Sequence, residues 1–225
     1  MGRRAARVPL QHLTGSVGFR YIELEVGPGV FVPRPETESV VQWAVDNIGH
    51  GAPLVVDLCT GSGTIAFALA NEVPGATVHA VERDAGALEW TRRNAKNRVA
   101  AGDPEVHLHL GSVEDCLPDL NGLVDLVASN PPYVAETERH LPDPEVVDHD
   151  PEIALFAGPD GLDVIRLVEQ AARRLLKPGG LVVVEHSDRQ GRTAPAVFER
   201  AGGWADVADH QDLTGRDRFV TATRA

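Results

Sequence analysis

From residue 54 onward the apolar positions alternate between two rhythms. Leu54 to Leu58 is a short apolar run, and its length predicts a buried strand. Ile65 to Ala70 then reads as a helix, Thr77 to Val81 as a second strand and Ala85 to Val99 as a helix. Val106 to Leu110 and Leu123 to Ser129 give two more strands. Leu162 to Leu176 is an amphipathic helix expected to stop at Lys177-Pro178-Gly179-Gly180. Leu181 to Val184 is a fifth strand, Thr193 to Ala201 a helix, and Trp204 to Ala208 and Phe219 to Thr223 complete a set of seven strands. Strands that alternate with helices predict an α/β fold with a doubly wound, mostly parallel sheet. The last two strands have no long helix between them, which predicts an antiparallel hairpin at one edge.

Residues 8 to 38 follow a different pattern. Glycines and prolines punctuate two apolar runs, Phe19 to Val26 and Val30 to Val32, so the segment is expected to form a short β-hairpin. Thr37 opens a helical run through Val40, Val41, Ala44, Val45 and Ile48, closed by Gly49 and Gly51. The expected division is a tail and hairpin over residues 1–38 and one domain over 39–225. The start carries Arg3-Arg4 without a following hydrophobic region, so it is expected to be a frayed basic tail rather than an export signal. No apolar stretch approaches the length of a membrane span.

The 225 residues are 43% hydrophobic and 24% charged, ordinary globular values that supply a real core. The formal charge of −12 counts against a groove that grips nucleic-acid phosphates. The two cysteines, Cys59 and Cys116, make no disulfide framework and fit a reducing cytoplasm.

Candidate chemistry gathers where strands end. The first strand runs into Asp57-Leu58-Cys59-Thr60-Gly61-Ser62-Gly63-Thr64, a turn that lets backbone approach a ligand at the positive end of a helix. Glu82 closes the second strand, 19 residues after Gly63, and suits the hydroxyls of a ribose. A dinucleotide is the competing ligand. Ala66 replaces the third glycine of that fingerprint, and the negative charge of Asp57 suits a cationic group better than a pyrophosphate. The fourth strand ends in Asn130-Pro131-Pro132-Tyr133. Neither proline can donate to a sheet ladder, so the chain turns into a stiff corner. That corner offers an amide side chain, an exposed carbonyl and an aromatic ring, a combination suited to a planar –NH2 group.

The glycine turn, the distal acid and Asn-Pro-Pro-Tyr together resemble the class I, Rossmann-like methyltransferases that use S-adenosyl-L-methionine. The resemblance implies that Asp57, Cys59, Thr60, Gly61, Ser62 and Gly63 wrap the amino-acid part of the cofactor. It also implies that Glu82 holds the ribose, that Ser112 and Val113 lie by the adenine and that Asn130 contacts the cofactor as well as the substrate. Asn130, Pro131 and Tyr133 would be catalytic: the Asn130 oxygen and the Pro131 carbonyl accept the two N–H groups, and Tyr133 packs on the flat face beside Pro132. Gly27-Pro28-Gly29-Val30-Phe31-Val32-Pro33-Arg34-Pro35-Glu36-Thr37-Glu38 is similar to the HemK-type protein-glutamine methyltransferases, as is Gly215-Arg216-Asp217-Arg218 near the end. Phe31, Arg34 and Glu36 would then contact substrate. The family modifies the glutamine of the Gly-Gly-Gln motif in peptide chain release factors, which makes a release factor the expected partner. Family members begin with a helical docking domain that this chain is expected to lack.

An adenine-amine methyltransferase acting on DNA or RNA, or a non-catalytic cofactor-binding partner protein, would share much of this pattern. The negative charge counts against stable nucleic-acid binding, and a membrane is not expected as a partner. His107, His109, His140 and His149 lack the spacing of a zinc site, so no metal is expected. The acidic segment from Pro142 to Pro151 is expected to be a lid or docking edge; Glu185-His186 ends the fifth strand, where a structural role is favoured over one that faces the crevice.

Overall fold

The computed structural model describes residues 2–49, 51–141 and 143–225; Met1, His50 and Pro142, the last at the head of the acidic segment, lie outside it. Two short helices, α1 (Gly2–Ala5) and α2 (Leu10–Thr14), lead into the hairpin of β1 (Ser16–Phe19) and β2 (Ile22–Glu25). The basic start is thus partly helical, and Arg4 pairs with Glu145 at 2.5 Å. Phe19 faces Ile22, which puts Arg20-Tyr21 in the turn. Arg20 takes a positive φ of 48° there. Its guanidinium grips both oxygens of Glu72 at 2.5 Å, and its N–H donates to Glu38, so the turn is tied to the helices beneath it.

The hairpin therefore lies one turn earlier than the apolar runs suggest. Val30 to Val32 form no strand, because Gly27-Pro28-Gly29 breaks any ladder; Val30 packs on Val26 and Ala87 instead.

The main fold follows as α3 (Thr37–Asn47), β3 (Leu54–Leu58), α4 (Thr64–Glu72), β4 (Thr77–Glu82), α5 (Ala85–Ala100), β5 (Val106–Leu110) and β6 (Val124–Ser129). After it come α6 (Pro144–His149), α7 (Asp163–Leu175), β7 (Leu176–Glu185), α8 (Thr193–Ala201), β8 (Trp204–Gln211) and β9 (Asp217–Arg224). The seven strands of the sheet lie in the order β5-β4-β3-β6-β7-β9-β8, parallel through β7. β9 runs antiparallel to both β7 and β8, so the C-terminal hairpin closes one edge as its spacing predicts. Lys177-Pro178-Gly179-Gly180 does more than stop a helix: β7 already starts at Leu176, and the register slips between its pairings with Val124 and Leu126. A bulge absorbs the proline and glycines that an unbroken ladder would reject.

Alternate residues of the central strands feed two cores. Val55, Leu126, Ala128 and Val183 face α3, α4 and the hairpin residues Phe19, Ile22 and Leu24. Val56, Leu58, Val127, Val182 and Val184 face α7 and α8. Burial on both faces is why these strands read as nearly unbroken apolar runs. It also brings the carboxyl ends of β3, β4, β6 and β7 together along one edge, where open α/β sheets bind ligands.

Candidate active site

A cavity of about 570 Å³ opens at that edge. Asp57, Cys59, Thr60, Gly61, Ser62 and Glu82 line one end, with Ser112, Val113 and Glu114 beside them. Asn130, Pro131, Pro132 and Tyr133 line the other, under Phe31 and Arg34. Gly63 and Glu36, both expected at the site, stand outside this lining. Gly63 precedes α4 at φ 90°, with the Phe67 ring packed where a Cβ would sit, 2.1 Å away. Its freedom from a side chain shapes the turn rather than contacting a ligand. Glu36 precedes α3 and adds its negative charge behind the site.

The glycine turn is held from below. Thr91 Oγ1 of α5 donates to the Gly61 carbonyl at 2.6 Å, and Asn94 Nδ2 donates to the Ser62 carbonyl at 2.9 Å. Asn94 also bonds both backbone groups of Glu25, so one helix fastens the turn to the hairpin. Glu82 accepts the Gly61 N–H and the Asp84 N–H, each at 2.9 Å. Burial pushes the Glu82 carboxyl above its ordinary range, while these N–H groups hold it back.

Asp57 decides between ligand classes. Its Oδ2 accepts the Thr60 hydroxyl at 2.5 Å and the Ala66 N–H at 3.0 Å. Ala66 lies in the first turn of α4, so a carboxylate of the chain itself already occupies the place where a pyrophosphate would dock. Asp57 Oδ1 is buried without a partner, and burial pushes the group up to about 7. An unpaired acceptor at the cavity wall fits an ammonium-bearing ligand and disfavours a dinucleotide. Cys59 sits in the same turn at φ 61°; burial pushes its thiol up, so it stays protonated and is no nucleophile.

At the other end, Asn130 Nδ2 donates to Thr37 Oγ1 at 3.2 Å. The Tyr133 hydroxyl donates to Glu185 Oε1 at 3.2 Å. Burial and the neighbouring Glu185 charge push the Tyr133 phenol up, which keeps it a donor. Gln190 Nε2 takes the Tyr133 carbonyl at 3.1 Å and the Gly161 carbonyl at 3.2 Å, pinning the chain as it leaves the corner. Arg34 stacks 5.1 Å from the Phe31 ring and pairs with Asp150 at 2.7 Å, tying the segment before α3 to the acidic segment. That segment contains α6, and its Val146 and Pro151, with Ile153 and Leu155 just after it, wall the cavity.

Glu185 is thus more than a strand end, because its carboxylate reaches the back of the corner. His186 beside it is structural, bonded to Asp209 at 2.8 Å and to the Ser187 carbonyl at 2.9 Å. His79, unremarkable in the sequence, stacks on His109 with centroids 5.1 Å apart and meets His107 at a tilt, 4.7 Å away, across β4 and β5. Among the described residues no group of three or more His, Cys, Asp or Glu could hold a metal ion.

A parallel sheet closed by an antiparallel hairpin, a glycine turn capped by its own carboxylate and a cavity at the strand ends define a methyltransferase of the Rossmann-like class. Its methyl donor is S-adenosylmethionine, whose ammonium suits the unpaired Asp57 oxygen. Residues 52–217 match a family model described as a methyltransferase domain. The fold superposes on a methyltransferase from Pyrococcus furiosus with a TM-score of 0.68, over 99% of this chain and 98% of the other at 16% identity. In sequence the chain is 58% identical to the release factor glutamine methyltransferase of Streptomyces coelicolor, covering 100% of this chain and 79% of that protein. It is 40% identical to a 4-amino-L-phenylalanine/4-methylamino-L-phenylalanine methyltransferase of Streptomyces pristinaespiralis, over 99% of this chain and 75% of the other. The chain belongs to the release factor glutamine methyltransferase family.

Proposed function

We propose that the protein transfers a methyl group to the side-chain amide nitrogen of a glutamine in a peptide chain release factor. The observation that carries this reading is the corner itself. Asn130 is anchored through its amide nitrogen, which leaves the carboxamide oxygen to accept from a substrate. Asn130 Oδ1 and the Pro131 carbonyl take the two N–H groups of the target amide, and Tyr133 and Phe31 flank its flat faces. An amide nitrogen lends its lone pair to the carbonyl and is a poor nucleophile. Two hydrogen bonds to neutral oxygens orient it and raise its electron density, which supplies the alignment and electrostatic part of catalysis. S-adenosylmethionine would supply an electrophilic methyl carbon on a sulfonium: the S–CH3 bond breaks as the N–CH3 bond forms, a neutral thioether leaves, and the amide sheds one N–H proton. Asp57 and Ser62 hold the cofactor's amino-acid portion, Glu82 its ribose, and Ser112, Val113 and Glu114 flank its base.

The choice of glutamine over other planar amines is supported by the 58% identity to a release factor enzyme against 40% to the aromatic-amine enzyme. The charge of −12 disfavours nucleic acid. Free Cys59 and Cys116 suit a cytoplasmic setting. The test is incubation with methyl-labelled S-adenosylmethionine and, separately, a release factor, nucleic acid or 4-aminophenylalanine. Label on the release factor glutamine is expected. Label on nucleic acid or the free amino acid alone would overturn the reading.

A further inference from the structure

The turn between β8 and β9 has no part in the chemistry described so far, yet it is rigidly built around a side chain that packs on nothing. Leu213 is 97% exposed; among the described residues the next most exposed large apolar side chain, Tyr21, is 77%. Leu213 stands outside all three apolar clusters, so it adds nothing to a core.

The rest of the turn is held from within. Asp212 is buried, and one of its carboxylate oxygens takes the Thr214 N–H at 2.8 Å, the Thr214 hydroxyl at 2.6 Å and the Arg216 N–H at 3.3 Å. Its other oxygen takes Arg218 Nε–H at 3.0 Å. The Asp212 N–H donates to the Arg216 carbonyl at 2.8 Å, and the Gly215 N–H donates to the Asp212 carbonyl at 2.9 Å. Gly215 takes the φ of 80° that this tight return needs. A mobile loop can fold a leucine back onto its neighbours, whereas a turn fixed in this way holds it in water. Single exposed apolar residues are common and need no explanation by themselves. Rigidity and position set this one apart.

The position follows from the sheet. β9 runs antiparallel to β7, with Phe219 opposite Glu185 and the Arg218 carbonyl taking the His186 N–H at 2.9 Å. Residues 212–216 therefore project beyond the carboxyl end of β7, at the edge where the cavity opens. Ser187, Asp188 and Arg189 leave β7 there and line the cavity, and Arg216 reaches Asp188 at 4.0 Å. Leu213 thus stands on the lip of the acceptor end, one loop away from the lining. A glutamine that belongs to a folded protein reaches Asn130 only when that protein's surface comes down on this lip. The turn has spent its polar groups internally, so what it offers a partner is a pre-ordered apolar side chain, whose burial releases water at little cost in entropy.

We infer that Leu213 is a docking contact for the protein substrate: it inserts into an apolar depression on the release factor, beside the loop that carries the glutamine. The inference rests on the protein-glutamine reading above and adds to it a contact outside the catalytic cavity. A contact remote from the reacting atoms favours the ground and transition states alike, so its loss raises KM and leaves kcat unchanged.

The experiment measures methyl transfer from tritium-labelled S-adenosylmethionine to an intact release factor, with wild type, L213S, L213D, L213M and L123D. Leu123 is 57% exposed but precedes β6, at the opposite edge of the sheet, so L123D adds the same charge away from the substrate. L213S and L213D are expected to raise KM for the release factor about 10-fold, the effect of truncating one anchor. Their kcat and cofactor Kd stay within about twofold, and their Tm does not fall. L213M keeps an apolar side chain of similar volume and is expected to stay near wild type, as is L123D. A wild-type KM in L213S and L213D overturns the inference. A rise in L213D alone reflects added charge rather than a lost apolar contact, and an equal rise in L123D reflects charge at long range; either overturns it as well. A rise that tracks weaker cofactor binding and a lower Tm marks a structural residue and has the same consequence. If wild type itself leaves the release factor unlabelled, the protein-glutamine reading fails, and this inference with it.

Discussion

The two ends of the cavity are built by different rules. At the methyl-donor end the contacts are short in sequence: Asp57 to Thr60 spans 3 residues, Asp57 to Ala66 spans 9 and Glu82 to Gly61 spans 21. At the acceptor end Tyr133 and Glu185 are 52 residues apart, Asn130 and Thr37 93, and Arg34 and Asp150 116. The donor end is built within neighbouring strand–helix units, the farthest supports of its turn being Thr91 and Asn94 of α5, 30 and 32 residues from the carbonyls they bond. The acceptor end exists only once β6, β7 and the segment before α3 have come together. Donor binding and acceptor chemistry should therefore be separable by mutation, with affinity following the first and turnover the second.

The widest separation is expected from Asn130→Ala. Losing one preorganised acceptor at the reacting group should lower kcat by about 100- to 1,000-fold. Cofactor affinity, measured by calorimetry, should change by no more than about threefold, because the donor end makes its contacts without Asn130. Equal losses in both quantities would merge the two ends into one cooperative site.

Gly63→Ala strikes the frame of the donor end instead. The position needs a φ of 90°, and a Cβ would lie 2.1 Å from the Phe67 ring. Strained backbone and overpacking together should cost about 3 kcal/mol in urea unfolding. An unchanged unfolding midpoint would mean that the turn tolerates a side chain and that Phe67 moves aside.

The same contrast explains what the sequence could disclose. The seven strands are readable because each central strand is buried on two faces, and the glycine turn because its geometry is encoded within ten residues. Glu82 is readable because it ends the next strand in a βαβ unit. Asn130 to Tyr133 announces itself through its prolines, but its backing does not. Thr37 looks like an ordinary helix start and Glu185 like a strand end, since nothing local says that β6 and β7 will lay one against the other. Thr91 and Asn94, which hold the glycine turn, are hidden among the polar residues of α5. Misread boundaries have a similar cause. Val30 is apolar because Val26 and Ala87 cover it, not because it pairs in a sheet. The six residues of α6 are too few and too exposed to leave a helical period.

Glu82→Ala should give the mirror image of Asn130→Ala. It removes a buried carboxylate that accepts two N–H groups and, in the proposed complex, the ribose hydroxyls. The charge-assisted bonds lost are worth about 2 kcal/mol, or roughly 30-fold in cofactor Kd. At saturating cofactor kcat should stay within about threefold of wild type, because the acceptor corner keeps its own partners. A collapse of kcat with little change in Kd would reverse the assignment of the two ends.

The smallest effect is the most diagnostic of ligand charge. Burial raises the Asp57 carboxyl from its usual 3.8 to about 7, so the folded protein holds a proton there that the unfolded chain has released. Its contribution to folding stability is full below the unfolded value and is lost as pH rises through about 7. Cofactor binding should run the other way. In the proposed complex the cofactor's ammonium lies beside Oδ1 and favours the ionised form, so binding should drive the proton off and grow tighter as pH rises. A fall of one unit in the bound state gives about a fivefold gain in affinity between pH 6 and pH 8, and about tenfold, or about 1.4 kcal/mol, over the whole titration. Asp57→Asn keeps an oxygen for the Ala66 N–H but cannot ionise, and its affinity should be weaker and flat across that range. A wild-type Kd that ignores pH, or a variant that keeps the wild-type slope, would remove Asp57 as the partner of the cofactor's positive charge. The donor end would then hold its ligand through Glu82 and the glycine backbone alone.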